Sequence, residues 1–168
     1  MVKRLDARVV MARVTTGHLH RPRWAPHGRR VPVRVHYSAP RTFSDDMSAE
    51  EITAEIADAI RIDPDSISVP MGSRGKRLAE GLPDFLWACP ECFELEALDV
   101  HASNRNLVVC ESCEAHWKVE VDNTMKARSH GAADTAVHRA AISIETHYGS
   151  PAVAHLERFE ETGVVIET

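Results

Sequence analysis

The four cysteines of this chain are the residues whose type and spacing most clearly predict chemistry. They form two C-x-x-C pairs, Cys89 with Cys92 and Cys110 with Cys113, separated by 17 residues. Two cysteines at this spacing can direct both sulfurs at one cation across a tight turn, and a second such turn completes a tetrahedron. The pattern therefore predicts a metal site whose ligands are Cys89, Cys92, Cys110 and Cys113, with Zn²⁺ as the expected metal.

The predicted zinc site is structural. Four thiolates fill the coordination sphere of Zn²⁺, so no position is left for a catalytic water. Metal binding to such a site supplies folding free energy, on the order of 10–16 kcal/mol in small zinc modules. Two alternatives stay open at this point, namely iron in a rubredoxin-like site and a pair of disulfides. His116 follows Cys113 by three residues, but we interpret it as a strand residue because four thiols already suffice.

Each pair of cysteines departs in one detail from the usual zinc knuckle. Many knuckles have glycine directly after the second cysteine, where the backbone adopts a positive φ. Phe93 and Glu114 occupy those positions here. We therefore expect the two turns to form but to be less regular than usual.

The cysteines belong to a predicted zinc ribbon that spans residues 85–121. Alternation and turn residues indicate strands over 94–100, 107–110 and 116–121, which would make a three-stranded antiparallel sheet. Acidic side chains outnumber Arg105 and Lys118 in this segment. Such a surface repels phosphate, so nucleic acid is not an expected ligand of the ribbon. A protein partner is a further expectation, through tryptophans that otherwise pack in the core.

The N-terminal segment 1–41 has the opposite charge. It contains ten Lys and Arg residues and one acid, Asp6, whereas the rest of the chain is strongly acidic. A basic segment of this kind predicts an anionic partner. We expect an anionic membrane surface or a phosphorylated lipid; the alternative is a solvated basic edge that pairs with the acidic remainder of the protein.

Regular elements are also predicted outside the ribbon. Ser48 and Glu51 form a capping box, and Ile52, Ile56 and Ile60 make one apolar stripe on the helix that follows. Further elements are two short strands, a helix that ends at Gly149, a second helix and a last strand. Their predicted ranges are 8–16, 31–37, 137–148, 150–161 and 164–166.

Several classes of protein are excluded or disfavoured by the sequence. No apolar run approaches the roughly 20 residues of a membrane span, and the first residues lack the apolar core of a signal peptide. Thiols arranged for a metal point to a reducing cytoplasm, with peripheral attachment to a membrane as an option. No nucleophile elbow, P-loop or His-Glu-x-x-His motif occurs. We therefore predict no catalytic residue and no cofactor-binding residue.

The order of motifs resembles the C-terminal part of bacterial 1-acylglycerol-3-phosphate acyltransferase-like proteins that carry a zinc-ribbon tail. The similarity lies in the strand and turn of residues 33–40, in Met-Ser-x-Glu-Glu-Ile at 47–52, and in residues 79–82 leading into the Cys-Pro-x-Cys knuckle. Together with a strand at 9–17, it covers roughly residues 7–121. The family's His-x₄-Asp and Glu-Gly-Thr motifs are absent, and His130 precedes Asp134 by one residue too few. No catalytic residue is carried over.

These observations predict an α+β protein with three parts. Residues 1–84 would be an acyltransferase-like C-terminal segment of basic strands, loop and capped helix, 85–121 the three-stranded zinc ribbon, and 122–168 a helical tail. The expected function is that of a truncated or split relative of phospholipid acyltransferases, inactive alone. The alternative is a zinc-ribbon adaptor or regulatory protein that binds a protein partner or nucleic acid.

Overall fold

The computed structural model describes residues 7–149 and shows a mixed α+β protein with a small antiparallel sheet. The strands are β1 (Ala12–Val14), β2 (Val35–Tyr37), β3 (Leu98–Val100), β4 (Leu107–Cys110), β5 (His116–Val119), β6 (Thr124–Ala127) and β7 (Thr135–Ala136). The helices are α1 (Gly17–His20), α2 (Ala49–Ile60), α3 (Leu82–Phe85) and α4 (Val137–Tyr148), with a 3-10 helix at Pro64–Ser66. The α+β class is confirmed.

The main sheet has five strands in the order β3-β4-β5-β6-β7, all antiparallel. The prediction of three strands is wrong, because residues 124–136 add two strands within a segment that was predicted to be helical. The four-residue loop 120–123 between β5 and β6 makes this addition possible. Asn123 closes the loop with a φ of 66°, and the Asp122 carboxylate accepts hydrogen bonds from the Thr124 amide and hydroxyl at 2.9 and 2.6 Å.

One face of this sheet carries the core of the protein. Alternate residues of β4, β5 and β6 point inward, and Val108 lies directly opposite Trp117. Helices α3 and α4 cover these side chains through Leu82 and Ile144, which are fully buried. The predicted helix 137–148 is confirmed, and it ends at Gly149, whose φ is 83°. The predicted helix 150–161 and strand 164–166 lie outside the described residues.

The loop segment 16–31 packs against the sheet and its helices. The Arg29 guanidinium donates to the Val121 carbonyl and to the Asn123 side chain at 3.0 and 2.6 Å. The Trp24 ring packs on Phe85, with ring centroids 5.5 Å apart. Gly81 permits this contact, because its φ is 77° and a Cβ there would lie 2.2 Å from the Trp24 carbonyl oxygen.

The strands β1 and β2 form a separate hairpin. Their register pairs Ala12 with Tyr37 and Val14 with Val35. Strands were predicted over 8–16 and 31–37 and expected to be partly or half buried, but every residue of β1 and β2 is exposed. Among the helices and strands of residues 7–149, only α2 makes several contacts with this hairpin.

Helix α2 begins as the sequence predicts. The Ser48 hydroxyl accepts a hydrogen bond from the Glu51 amide at 3.1 Å, and the Glu51 carboxylate accepts one from the Ser48 amide at 2.7 Å. The predicted apolar stripe is only partly covered, since Ile52 is buried whereas Ile60 is 44% exposed. We call β1, β2 and α2 with their flanking residues (7–15 and 33–61) the hairpin unit, and residues 78–148 the ribbon unit.

Within residues 7–149, none of the helices has both the length and the apolar character that a membrane crossing requires.

Candidate metal centre

The four cysteines lie on two turns with the same backbone design. The Cys89 amide donates to the Glu94 carbonyl at 3.0 Å, and the Phe93 amide donates to the Cys89 carbonyl at 2.9 Å. Cys110 makes the corresponding bonds with Ala115 and Glu114 at 2.9 and 3.0 Å. Each turn is therefore a closed knuckle with a C-x-x-C pair at its tip.

The residue after each second cysteine has the left-handed conformation that usually requires glycine. Phe93 has a φ of 60° and Glu114 a φ of 59°. The expectation of less regular turns is wrong, because the surrounding hydrogen bonds hold both residues in this conformation. A left-handed residue other than glycine stores some strain, of order 1 kcal/mol or more.

The sulfurs lie at distances that suit one tetrahedral ion. Sγ of Cys89 is 3.8 Å from Sγ of Cys113, and Sγ of Cys92 is 3.7 Å from Sγ of Cys110. All four sulfurs lie within 4.8 Å of one another. Four thiolates placed about 2.3 Å from a zinc ion in a regular tetrahedron are about 3.8 Å apart. The donor set and its spacing therefore fit a Cys₄-bound metal ion.

The four cysteines do not form disulfides. A disulfide requires sulfurs about 2.05 Å apart, and all four cysteines carry free thiols. His116 belongs to β5, where its amide donates to the Ser129 hydroxyl at 2.8 Å. Among the described residues, the four cysteines are the one group of His, Cys, Asp and Glu side chains placed to share a metal.

Burial and hydrogen bonding divide the site into an inner and an outer half. Cys89 and Cys110 are fully buried, whereas Cys92 and Cys113 are exposed. Burial raises the pKa of the Cys89 thiol far above its usual range. Burial also acts to raise the pKa of Cys92, but the Glu94 amide and the neighbouring thiols lower it on balance. Since thiolates are the ligands, metal binding must displace protons from these sulfurs.

Backbone amides add partial positive charge around the inner sulfurs. The Glu91 amide lies 3.4 Å from Sγ of Cys89, and the Cys113 amide lies 3.5 Å from Sγ of Cys110. Such N–H···S contacts stabilise thiolate charge. They come from the knuckle backbone itself, so each turn provides two ligands and the polar groups that support them.

The C-terminal end of α4 braces the first knuckle. The Tyr148 hydroxyl donates to the Phe93 carbonyl, and the His147 ring stacks on the Phe93 ring with centroids 4.1 Å apart. Tyr148 also packs on Trp87 at 5.6 Å. The sequence predicted α4 but not this contact; aromatic residues at the last turn of an amphipathic helix were the available signal.

A second contact comes from the loop before β7. The Ala133 amide donates to the Glu91 carboxylate at 2.8 Å, and the Trp117 indole donates to the Ala133 carbonyl at 3.1 Å. The loop therefore joins the first knuckle to the centre of the sheet. Of the two roles that the sequence left open for its tryptophans, contact with a partner or packing in the core, Trp117 has the second, since it is completely buried.

Comparison with known proteins gives no relative: no family model, no curated protein and no solved structure matches this chain.

Proposed function

We propose that this chain is a non-catalytic module in which a structural Zn²⁺ ion stabilises the ribbon and the β1–β2 hairpin docks on an anionic lipid surface. The zinc part of the proposal is supported by the four-thiolate geometry, which leaves no ligand position for substrate or water. The lipid part is supported by one observation, the exposed apolar face of a basic hairpin.

The register of the hairpin places its apolar side chains on one face. Residues directly opposite in an antiparallel pair point to the same side, so Val14 and Val35 share a face with Ala12 and Tyr37. The exposed fractions of the large side chains on this face are 40% for Val14, 41% for Val35 and 73% for Tyr37. Val10 and Val33, which flank the two strands, are each 48% exposed.

The charge around this face is positive. Residues 7–41 contain eight arginines and no aspartate or glutamate. Arg29 is buried and Arg41 pairs with Glu55, but Arg13 and Arg34 are exposed. Arg13 lies opposite His36, and so on the other face from Val14 and Val35. Attraction to an anionic membrane acts over a Debye length of about 10 Å, so it reaches charges on both faces of a two-stranded sheet. Each such residue contributes about 1 kcal/mol near an anionic membrane.

This combination favours lipid over nucleic acid. Exposed valines gain free energy by entering the acyl boundary of a bilayer, but they offer nothing specific to a phosphate backbone or a base edge. A relationship to phospholipid acyltransferases would place the chain next to such a surface. That relationship rests on the short sequence motifs alone and stays a prediction.

Sedimentation with vesicles tests the lipid surface. We expect the protein to bind phosphatidylcholine vesicles that contain phosphatidylglycerol, to release them as salt rises, and to ignore pure phosphatidylcholine. The double variant Val14→Asp/Val35→Asp should lose binding. Met71→Asp is the matched control, because Met71 is a fully exposed apolar residue outside the hairpin.

Three results would overturn parts of this proposal. Absence of binding to anionic vesicles at low salt would rule out docking of the hairpin on a lipid surface. Salt-sensitive binding to DNA without vesicle binding supports the adaptor alternative. Acyl transfer from acyl-CoA to a lysophospholipid by the isolated chain contradicts the non-catalytic role.

A further inference from the structure

A cavity of about 380 Å³ opens at the start of α4, lined by none of the four cysteines. Residues 18 and 21–24 form one wall, and the 3-10 helix, α3 and the β5–β6 loop form the others. The volume lies within the usual range of small-molecule sites, about 300–1,000 Å³. Neither the ribbon metal nor the hairpin face accounts for this cavity.

The inner surface of the cavity is largely apolar. The Trp24 and Phe85 rings meet at a tilt of 40°, and Ile67 and Val137 complete the lining near them. The Trp24 indole N–H donates to the Leu78 carbonyl at 3.3 Å. Because this polar edge already has a partner, the tryptophan offers the cavity an apolar ring. A flat or short-chain apolar group would pack well against such a surface.

The mouth of the cavity carries uncompensated positive charge. Arg21 and Arg23 line it and are exposed, and no ion pair joins either to a carboxylate of the described chain. The carboxylates of the lining are engaged elsewhere. Asp65 pairs with Arg139 at 2.5 Å and with His138 at 3.5 Å.

The other lining carboxylate, Asp122, is also engaged. It accepts two hydrogen bonds from Thr124. It also faces the buried Arg29, and this interaction acts to raise the pKa of the Arg29 guanidinium. Neither lining carboxylate is therefore a free partner for a cation.

One further feature adds positive potential at the inner end. Ala136, the residue before α4, provides no side-chain cap, so the first turn of this 12-residue helix directs its dipole at the cavity. Arg29 lies behind the wall made by Trp24 and Asn123, 4% exposed, and its charge offsets that of Asp122. Burial lowers the pKa of Arg29 to about 10, partly opposed by Asp122. It therefore stays protonated at neutral pH.

We propose that this cavity binds a small amphipathic anion. Its apolar body would pack between Trp24 and Phe85, and its carboxylate or phosphate would face Arg21 and Arg23. The inference is independent of the lipid surface and of the metal, since it uses neither the hairpin face nor the cysteines.

Titration of the intact, metal-loaded protein with naphthoate, naphthyl phosphate and neutral naphthylmethanol tests the cavity. Binding is followed by amide and indole NMR shifts. We expect both anions to perturb the Trp24 indole and the amides of Val137 and His138, and to bind several times more tightly than the alcohol. The stronger of the two anions identifies the preferred acidic group.

Variants at the mouth and in the lining of the cavity distinguish the contribution of the arginine charges to binding from that of the cavity shape. Arg21→Glu/Arg23→Glu should weaken both anions about tenfold and leave the alcohol unchanged. Arg30→Glu is the matched control, because Arg30 is exposed in the same segment but does not line the cavity. Ile67→Trp should fill the cavity and abolish binding of all three probes, while its NMR spectrum reports whether the fold is retained.

Three results would overturn the proposal. These are no shift at millimolar probe, shifts confined to the hairpin unit, and equal affinity for the alcohol and the anions.

Discussion

The ribbon unit and the hairpin unit achieve order in opposite ways. In the ribbon unit, a five-stranded sheet and two helices bury Trp117, Met125 and Ile144 completely, and two knuckles place four thiols around one point. In the hairpin unit, Ile52 is the one large apolar side chain with almost no exposure. The difference indicates that the ribbon unit contains its own stabilising core, whereas the hairpin unit keeps apolar surface available for contact with something else.

The largest expected effect is the loss of a metal ligand. Cys110→Ser removes a thiolate from the buried half of the site, so the metal should dissociate and the ribbon unit should lose its folded structure. Ser112→Ala serves as the control, because Ser112 is exposed and lies between Cys110 and Cys113. Circular dichroism and amide NMR report the outcome. A Cys110→Ser protein that keeps its ribbon spectrum would show that the sheet folds without the metal.

Truncation of one isoleucine in each unit compares how tightly the ribbon unit and the hairpin unit are packed. Ile144 is fully buried in α4 and Ile60 is 44% exposed in α2. Ile144→Ala should lower the free energy of unfolding by about 2–5 kcal/mol, and Ile60→Ala should change it by no more than about 0.5 kcal/mol. Urea denaturation of both variants measures the difference. Equal costs would mean that the two units are equally well packed.

A smaller effect is expected from the brace between α4 and the first knuckle. Tyr148→Phe removes the hydrogen bond to the Phe93 carbonyl and should lower the free energy of unfolding by about 0.5–1.5 kcal/mol. The variant should also lose its metal to a chelator more readily. Tyr37→Phe is the control, because Tyr37 is 73% exposed in the hairpin unit. Unchanged metal retention in Tyr148→Phe would show that α4 does not stabilise the metal site.

A local effect of similar size is expected at the helix cap of the hairpin unit. Ser48→Ala removes one half of the capping box and should destabilise α2 by about 1 kcal/mol, while Ser48→Asp keeps a capping oxygen. Amide exchange should accelerate in α2 and stay constant in the ribbon unit. Faster exchange in both units would show that they unfold together.

The sequence predicted best those features that local chemistry determines. The capping box at Ser48, the end of α4 at Gly149 and each of the two C-x-x-C turns depend on residues close together in the chain. The knuckles formed despite Phe93 and Glu114, because backbone hydrogen bonds outweighed the preference for glycine.

The failed predictions concern short strands and the coverage of a surface. Strand β7 is only two residues long, too short to show alternation, and the four residues of β6 include one large apolar side chain, Met125. Their best signal was the Asp122-Asn123 turn. The exposure of the hairpin could not be read from its alternation, since alternation shows which side chains share a face but not whether that face is covered.

The central claim is that one metal ion holds the two knuckles together, and metal analysis of reduced protein tests it most directly. We predict one equivalent of zinc per chain, replaceable by Co²⁺ with the intense thiolate-to-metal absorption of a tetrahedral Cys₄ site. Removal by a chelator should erase the dispersed amide signals of the ribbon unit. Reduced protein that contains only trace metal and keeps a folded ribbon would contradict the account.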